Sequence, residues 1–319
     1  MLGHELGSLR ANVQQLLGSK HPGLDKIAKY YFQQEGKHVR PMIVLLMAQA
    51  TNGLAPGYGS LAHEQATRPT LDAEMEPARV LNDHNPDLLA KAKSFMADPL
   101  SALAGLAAPD PAAATATPLP ASVLLLPTQR RLAEIIEMIH VASLLHDDVI
   151  DVADTRRAAP SAPALFGNKL SILAGDFLLA RASLACARLG SVEVVELIAS
   201  VLANLVEGEV MQMKGNSPGR LGARLTPEIM EHYITKSYMK TASLIAKSAR
   251  ATTILGGCGV KQGWAEGEQI KDAAYTYGKH LGIAFQVRQR LPLPPPRLCP
   301  AQTCWPAWPR LAEGAALAC

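Results

Sequence analysis

The sequence predicts an all-α fold, and three observations support this prediction. From residue 130 to about residue 288, apolar residues recur at i, i+3 and i+4, as in RRLAEIIEMIHVASLLHDDVID. The alternation of apolar and polar residues that is typical of β-strands is nearly absent. The chain has 319 residues, 48% of them hydrophobic, which is enough to bury a sizeable core.

Composition excludes several classes of function. The net charge of +3 gives no indication of a nucleic-acid partner or of a polybasic membrane surface. The five cysteines are odd in number and form no CxxC pair, which argues against a disulfide scaffold or a structural zinc site. Because no run of 18 apolar residues occurs, we expect at most peripheral membrane association.

Residues 1–51 predict the N-terminal helices of the domain. The stretch ELGSLRANVQQLLGS has leucine and valine at helical spacing, and GLDKIAKYYFQQEGKHV is partly helical. A further helix is predicted to begin near Pro41, in RPMIVLLMAQA, because proline suits the first turn of a helix.

The rest of the chain divides into three parts. Residues 52–127 are rich in Pro, Gly and Ala without periodicity, which predicts a disordered insertion with one candidate helix at PDLLAKAKSFM. Residues 128–290 predict the helical core. Residues 291–319 are too rich in proline for a helix and resemble a different reading frame or an intron, so we expect a C-terminally truncated or mis-spliced chain.

Residues 143–157, SLLHDDVIDVADTRR, place carboxylates on an otherwise apolar helix. On a wheel of roughly 100° per residue, Asp148 lies about 100° from Asp147. The residues predicted to lie within about 40° of Asp147 are His140, Ser143, Asp151 and Asp154. An apolar helix with one carboxylate stripe is expected to be buried, with the stripe facing a polar cavity.

The chemistry of such a stripe indicates a metal and an anion. Buried carboxylates are tolerable when a cation bridges them, and hard oxygen ligands favour Mg²⁺ or Mn²⁺. Asp147 and Asp151, one turn apart, can hold such ions and leave positions for a diphosphate, while Arg156 and Arg157 can bind the same anion. The alternative for an isolated DDxxD is a solvated acidic helix end followed by arginines.

Further stretches match one family pattern together with the aspartate motif: EGKHVRP (35–41), FGNKLSILAGDFLLARA (166–182), MKTASL (239–244) and GIAFQ (282–286). Over residues 5–51 and 128–288 the chain resembles the trans-polyprenyl diphosphate synthases, most closely their fungal mitochondrial hexaprenyl-type branch. The resemblance implies an isoprenoid-synthase helical bundle around a central cavity, incomplete at its C-terminus.

The resemblance also implies an activity. It is the magnesium-dependent head-to-tail condensation of isopentenyl diphosphate with an allylic diphosphate of the farnesyl or geranylgeranyl type. The product is expected to be a polyprenyl diphosphate of C30 or longer for ubiquinone biosynthesis, made by a homodimer or by a heteromer with a related subunit. A mitochondrial location follows from the resemblance alone, because MLGHELGSLR does not read as a transit segment.

Roles are implied residue by residue. The expected magnesium ligands are Asp147, Asp148 and Asp151. The expected contacts of the allylic diphosphate are Arg156, Lys240 and Thr241, with Lys240 counted as catalytic beside the aspartates. The expected contacts of the isopentenyl diphosphate are Lys37, Arg40, His140 and Arg157, with Gln286 nearby. Ala142 and Ser143 precede the first aspartate as small residues, which implies an open tunnel and a long product.

The chain departs from the family pattern at several positions. A second aspartate-rich motif should begin three residues after the Phe–Gln pair, but Gln289 and Arg290 stand there. His38 replaces a usual Arg or Lys, and Ala158 replaces a usual Gly. We therefore expect little or no activity, and a catalytically inactive truncated or partner subunit remains an alternative. A cyclising terpene synthase, which shares the first motif, is a third possibility.

Overall fold

The computed structural model describes residues 2–19, 21–34, 36, 38–67, 71, 125–215 and 226–290. The all-α prediction is confirmed. The N-terminal helices are α1 (Leu2–Leu16), α2 (Pro22–Gln33), α3 (Val39–Thr51) and α4 (Tyr58–Thr67). The helices that follow are α5 (Pro127–Ile150), α6 (Ala162–Phe166), α7 (Asn168–Arg188), α8 (Val192–Gly215), α9 (Pro227–Ser237), α10 (Ser243–Thr253) and α11 (Gly267–Arg290).

Short elements connect these helices. Two π-helical turns, Tyr238–Ala242 and Ile254–Cys258, flank α10, and a 3₁₀ turn spans Val260–Gln262. Strands β1 (Thr155–Arg156) and β2 (Ala159–Pro160) pair antiparallel just after α5. This ribbon returns the chain towards the end of α5.

Helix α5 lies at the centre of the bundle, where it packs against α3, α7 and α10. Its start is favoured by Pro127 in the first turn, and it is apolar on most of its circumference. The side chains of Leu132, Ile135, Ile136 and Ile139 are at most 1% exposed. Each such burial contributes about 1.5–3 kcal/mol relative to an exposed side chain, so α5 is held firmly in place.

The N-terminal helices pack on this centre much as their patterns predict. Helix α2 begins at Pro22, with the His21 side chain accepting a hydrogen bond from the Leu24 N–H at 3.3 Å. Helix α3 begins at Val39, two residues before Pro41, so proline occupies its first turn as expected. Because α2 contacts α7 and α3 contacts α5, polar residues on α2 and α3 can reach the end of α5.

The prediction that residues 52–127 form a disordered insertion is wrong for α4. Tyr58 and Ala62 are buried and pack against Leu126, and the Thr128 hydroxyl donates to Gln65 Oε1 at 2.8 Å. Neighbouring Gly and Pro conceal this helix in the sequence, and tertiary packing stabilises it. The candidate helix PDLLAKAKSFM and the segment 291–319 lie outside the described residues.

Helix α7 has two different faces. Within the described residues it is the one helix that is long and apolar enough to cross a membrane, with a mean hydropathy of 1.5 and 44% of that stretch buried. Its buried face packs on α2, α5 and α6 as in a core helix. Its other face exposes Leu170, Ile172 and Leu173.

Candidate active site

Helix α5 ends within the aspartate motif. Asp151 is its C-cap, and Val152 follows in the left-handed conformation with φ of 50°. The Ala153 N–H donates to the Asp148 carbonyl at 3.0 Å, and the Asp151 N–H donates to the Asp147 carbonyl at 2.8 Å. This leaves Asp147 and Asp151 one turn apart.

The prediction that Asp154 continues the carboxylate stripe is wrong, because the left-handed Val152 ends the helix before it. Asp154 is exposed in the loop that precedes β1. The Val152 side chain is 81% exposed.

Asp147 lies in an anionic environment. The pKa of its carboxyl is raised from 3.8 to about 7, and burial is the largest cause. The charge of Lys240 lowers it, while the charge and hydrogen bond of Glu209 and the charge of Asp151 raise it. A carboxyl that is destabilised as an anion by burial and by neighbouring carboxylates gains from a bound cation. The donor set therefore fits a hard divalent metal ion.

Asp148 is buried, with its side chain 1% exposed, and its oxygens are occupied by protein groups. Arg156 Nε donates to both carboxylate oxygens at 2.9 and 2.8 Å, and Nη2 donates to Oδ1. The Tyr31 hydroxyl donates to Oδ2 and accepts the Ala162 N–H at 2.9 Å. Burial, followed by the hydrogen bond to Asp148, raises the pKa of Tyr31. Asp148 thus joins α2, α5, β1 and α6.

The turn between β1 and β2 presents the second arginine. Arg157 and Ala158 both have left-handed backbone, with φ of 52° and 60°. The guanidinium of Arg157 lies over Gly36, where an added Cβ would approach Nη1 to 2.9 Å. The glycine of EGKHVRP therefore gives Arg157 room beside the N-terminus of α3.

Arg40 and His140 form a close pair. Arg40 Nη1 lies 2.9 Å from His140 Nε2, and because Arg only donates, Nε2 must accept and the ring proton sits on Nδ1. Burial, followed by the charges of Arg40 and Arg157, holds the pKa of His140 well below its usual value, so the ring is neutral. Arg40 Nε is buried without a hydrogen-bond partner among the described residues. This unused donor fits an anion site.

A buried acid lies next to this basic cluster. Glu137, which is 5% exposed on α5, accepts a hydrogen bond from His38 Nδ1 at 3.1 Å. Its charge counters the effect of burial on the pKa of Arg40. His38 has a left-handed backbone, with φ of 42°, at the N-cap of α3. Lys37, predicted to join this cluster, lies outside the described residues.

Lys240 and Thr241 lie on the π-helical turn Tyr238–Ala242. Two glycines, one on α8 and one on α11, allow these helices to approach the turn closely. A Cβ added to Gly208 of α8 would lie 2.8 Å from Lys240 Cγ. A Cβ added to Gly282 of α11 would lie 2.5 Å from Ala242 Cα. Extra-residue turns of this kind occur often at functional sites. Lys240 Nζ forms an ion pair with Glu209 and donates to Gln212 Oε1 at 3.1 Å.

Gln286 belongs to this second group. Its Nε2 donates to Thr241 Oγ1 at 2.8 Å, and its carbonyl accepts from the Tyr233 hydroxyl at 3.2 Å. It was expected near the isopentenyl-diphosphate residues, but the structure pairs it with Thr241. The expected chain-length residues also differ from one another: Ala142 is fully buried in the core, and half-buried Ser143 donates to the His140 carbonyl at 2.8 Å.

Sequence reasoning missed several residues of this region. Glu137 and Glu209 each interrupt an apolar helical pattern, and that interruption was the available signal. Gln212 gave the same weak signal, three residues after Glu209. Tyr31 gave none, because an aromatic residue at helical spacing on α2 indicates core packing.

A metal ion at this site would be held by few carboxylates together with water or phosphate oxygens. Among the described residues no group of three or more His, Cys, Asp or Glu side chains is arranged to hold a metal ion. Magnesium commonly takes one or two carboxylates and completes its shell with water and phosphate oxygens. Asp147 and Asp151 suffice for that mode.

Comparisons with known proteins agree with the geometry. A family model described as polyprenyl synthetase matches residues 119–289. The chain is 47% identical over 290 residues to a probable mitochondrial hexaprenyl pyrophosphate synthase of Neurospora crassa, covering 90% of this chain and 57% of that protein. It is 38% identical to the mitochondrial hexaprenyl pyrophosphate synthase of Saccharomyces cerevisiae, covering 90% of this chain and 67% of the relative.

A solved structure shares the fold. The decaprenyl diphosphate synthase of Rhodobacter capsulatus superimposes with a TM-score of 0.56 at 25% identity, covering 90% of this chain and 62% of that one. The chain thus spans 57% of the Neurospora protein's length and 62% of the Rhodobacter chain.

Proposed function

Because this chain belongs to the polyprenyl synthetase family, we propose that it condenses isopentenyl diphosphate head to tail with an allylic diphosphate to make a long-chain polyprenyl diphosphate. One observation carries the proposal: His140 and Asp147 lie seven residues, or two turns, apart on α5. Two turns of helix span about 10 Å and return to nearly the same face. A basic cluster and an anionic cluster therefore share one face of α5.

The anionic cluster is proposed as the allylic site. Asp147 and Asp151 would hold Mg²⁺, or Mn²⁺, whose charge would neutralise the departing diphosphate. Asp148, which the resemblance also implies as a ligand, accepts hydrogen bonds from Arg156 in the structure. Lys240, Arg156 and Thr241 are the residues proposed to contact the allylic diphosphate.

The basic cluster is proposed as the isopentenyl site. Arg40 has an unused buried donor, neutral His140 has its Nδ1 proton available, and Arg157 supplies a second guanidinium. Guanidinium groups bind phosphate oxygens in a bidentate manner, which suits a diphosphate. Lys37 would join them from the segment before α3.

The reaction needs no protein nucleophile. The allylic C–O bond breaks, its electron pair leaves on the diphosphate, and the isopentenyl double bond attacks the allylic carbon. A proton is then lost to the released diphosphate. The protein's contribution is to orient the two substrates and to stabilise negative charge on the leaving group with Lys240 and Arg156.

The product and its location follow from the relatives. Proteins named as hexaprenyl and decaprenyl diphosphate synthases favour a product of C30 or longer, and the small side chains of Ala142 and Ser143 agree with a long tunnel. The mitochondrial names of the fungal relatives support a mitochondrial location and a role in ubiquinone biosynthesis. A relative named subunit 1 of a decaprenyl-diphosphate synthase supports assembly with a second copy or a related subunit.

An inactive subunit is the second candidate function, because the resemblance implies acidic residues where Gln289 and Arg290 stand. The relatives named as synthases give this alternative no support. The test incubates the purified chain and Mg²⁺ with farnesyl diphosphate, with and without isopentenyl diphosphate, and analyses the products by chain length. Polyprenyl products only with both substrates support the synthase. Hydrocarbon from farnesyl diphosphate alone would indicate a cyclase, and no product would leave the subunit role. Asp147→Asn is the control for background activity.

A further inference from the structure

We propose that Glu209 is a positioning residue that orients the Lys240 ammonium towards the allylic diphosphate. The inference rests on the proposed function of the site. Glu209 lies on α8, where it interrupts an otherwise apolar helical pattern.

The contacts of Glu209 connect two of the proposed site residues. Its Oε2 forms an ion pair with Lys240 Nζ, and its carboxyl lies within hydrogen-bond reach of Asp147 of α5. The side chain is 11% exposed, so water competes little for these contacts. Glu209 therefore bridges α5 to the π-helical turn.

The geometry at Lys240 explains the need for such a bridge. An ammonium group has three donors on a flexible stem. Glu209 and Gln212, one turn apart on α8, occupy two of them, which leaves a single N–H with its direction set. A side chain held in this way loses little rotational freedom when it binds an anion.

The backbone keeps this arrangement close. Gly208 precedes Glu209 and allows α8 to approach the π-helical turn, since a Cβ there would lie 3.0 Å from the Lys240 backbone nitrogen. A buried carboxylate is costly, so its presence next to Asp147 would be unfavourable without Lys240. Glu207, two residues earlier, is exposed and offers a matched control for the loss of one charge.

The test is a double-mutant cycle on substrate binding. Isothermal titration calorimetry in Mg²⁺ measures the affinity of farnesyl diphosphate for the wild-type chain, Glu209→Gln, Lys240→Met and the double variant. Glu207→Gln is the charge control, and isopentenyl diphosphate is the control ligand. Thermal unfolding of each variant reports stability separately from binding.

Glu209→Gln is expected to weaken farnesyl diphosphate binding about tenfold, the usual loss when a charge-assisted hydrogen bond is replaced by a neutral one. It should have no further effect in the Lys240→Met background and should leave isopentenyl diphosphate binding unchanged. Additive losses, equal losses for both ligands, or tighter binding by Glu209→Gln would each overturn the inference. A wild-type chain that does not bind farnesyl diphosphate overturns the proposed function itself.

Discussion

Arg156 contacts both carboxylate oxygens of Asp148, with Nε at 2.9 and 2.8 Å from them, while Tyr31 donates to the same carboxylate from α2. The second aspartate of the motif is therefore an internal anchor in this structure. It fixes the arginine proposed to bind substrate and ties an N-terminal helix to the central one.

Asp148→Asn is expected to destabilise the protein by about 3 kcal/mol, because removing one partner leaves a charge uncompensated in a buried pair. Urea unfolding measures the change. Asp154→Asn, at an exposed loop position, is the control and should change stability by less than about 0.5 kcal/mol. Equal effects of the two substitutions would show that Asp148 is not an anchor.

Ala158→Gly is expected to stabilise the protein by about 0.5–1 kcal/mol. Ala158 has φ of 60°, where an L-residue is strained and glycine is not, although glycine loses more backbone entropy on folding. Ala159→Gly, in β2 with an ordinary backbone conformation, should destabilise instead. A drop in stability for Ala158→Gly, measured by the same unfolding assay, would contradict the strain.

The raised pKa of Asp147 predicts a pH dependence of stability. Between pH 4 and about 7 the carboxyl of the folded protein holds a proton that the unfolded chain releases. The contribution of this group to the free energy of unfolding is therefore lost as the pH rises through that window. The difference in unfolding temperature between wild type and Asp147→Asn, followed from pH 4 to 8 without metal, isolates it. Relative to the variant, wild type should become less stable as pH rises.

Magnesium should reverse this loss. Metal binding requires the deprotonated carboxylate, so Mg²⁺ should raise the unfolding temperature more at pH 8 than at pH 5. Asp147→Asn should show a much smaller rise at either pH. A rise that is the same in wild type and variant would place the ion elsewhere.

Ala142→Phe is expected to shorten the product, because a ring at this position would fill space before the first aspartate. Ala142 is fully buried, so overpacking should also cost about 1–3 kcal/mol. Product chain length is read by chromatography, with Ser143→Ala as the control for a change at the neighbouring position. Products of unchanged length from a folded Ala142→Phe would exclude this residue from the tunnel.

Leu173→Glu is expected to weaken the assembly proposed above, with a second copy or with a related subunit. Leu173 is 56% exposed beside Leu170 and Ile172 on the outer face of α7, where a charge would oppose apolar contact. Light scattering over a concentration series measures the change. Val260→Glu, at an exposed apolar residue on the 3₁₀ turn, should leave the assembly intact.

The central helices were predictable because their apolar period is long and regular, and the beginning of α3 was predictable from Pro41. Helix α4 was not, because its stability comes from contacts of Tyr58 and Ala62 with a residue more than sixty positions away. The aspartate motif was visible in the sequence, but the different roles of Asp147 and Asp148 were not. A helical wheel places Asp148 off the stripe but cannot show Arg156 folding back through a ribbon to meet it.

The π-helical turn at Tyr238–Ala242 acts as a change of register within one long helical segment. One additional residue rotates everything after it by roughly 100°. Side chains before and after the turn therefore face different neighbouring helices, although they belong to a nearly continuous helical segment. A sequence alignment with a one-residue gap at this turn would still match the motif. It would nevertheless assign the residues after the turn to the wrong neighbouring helices.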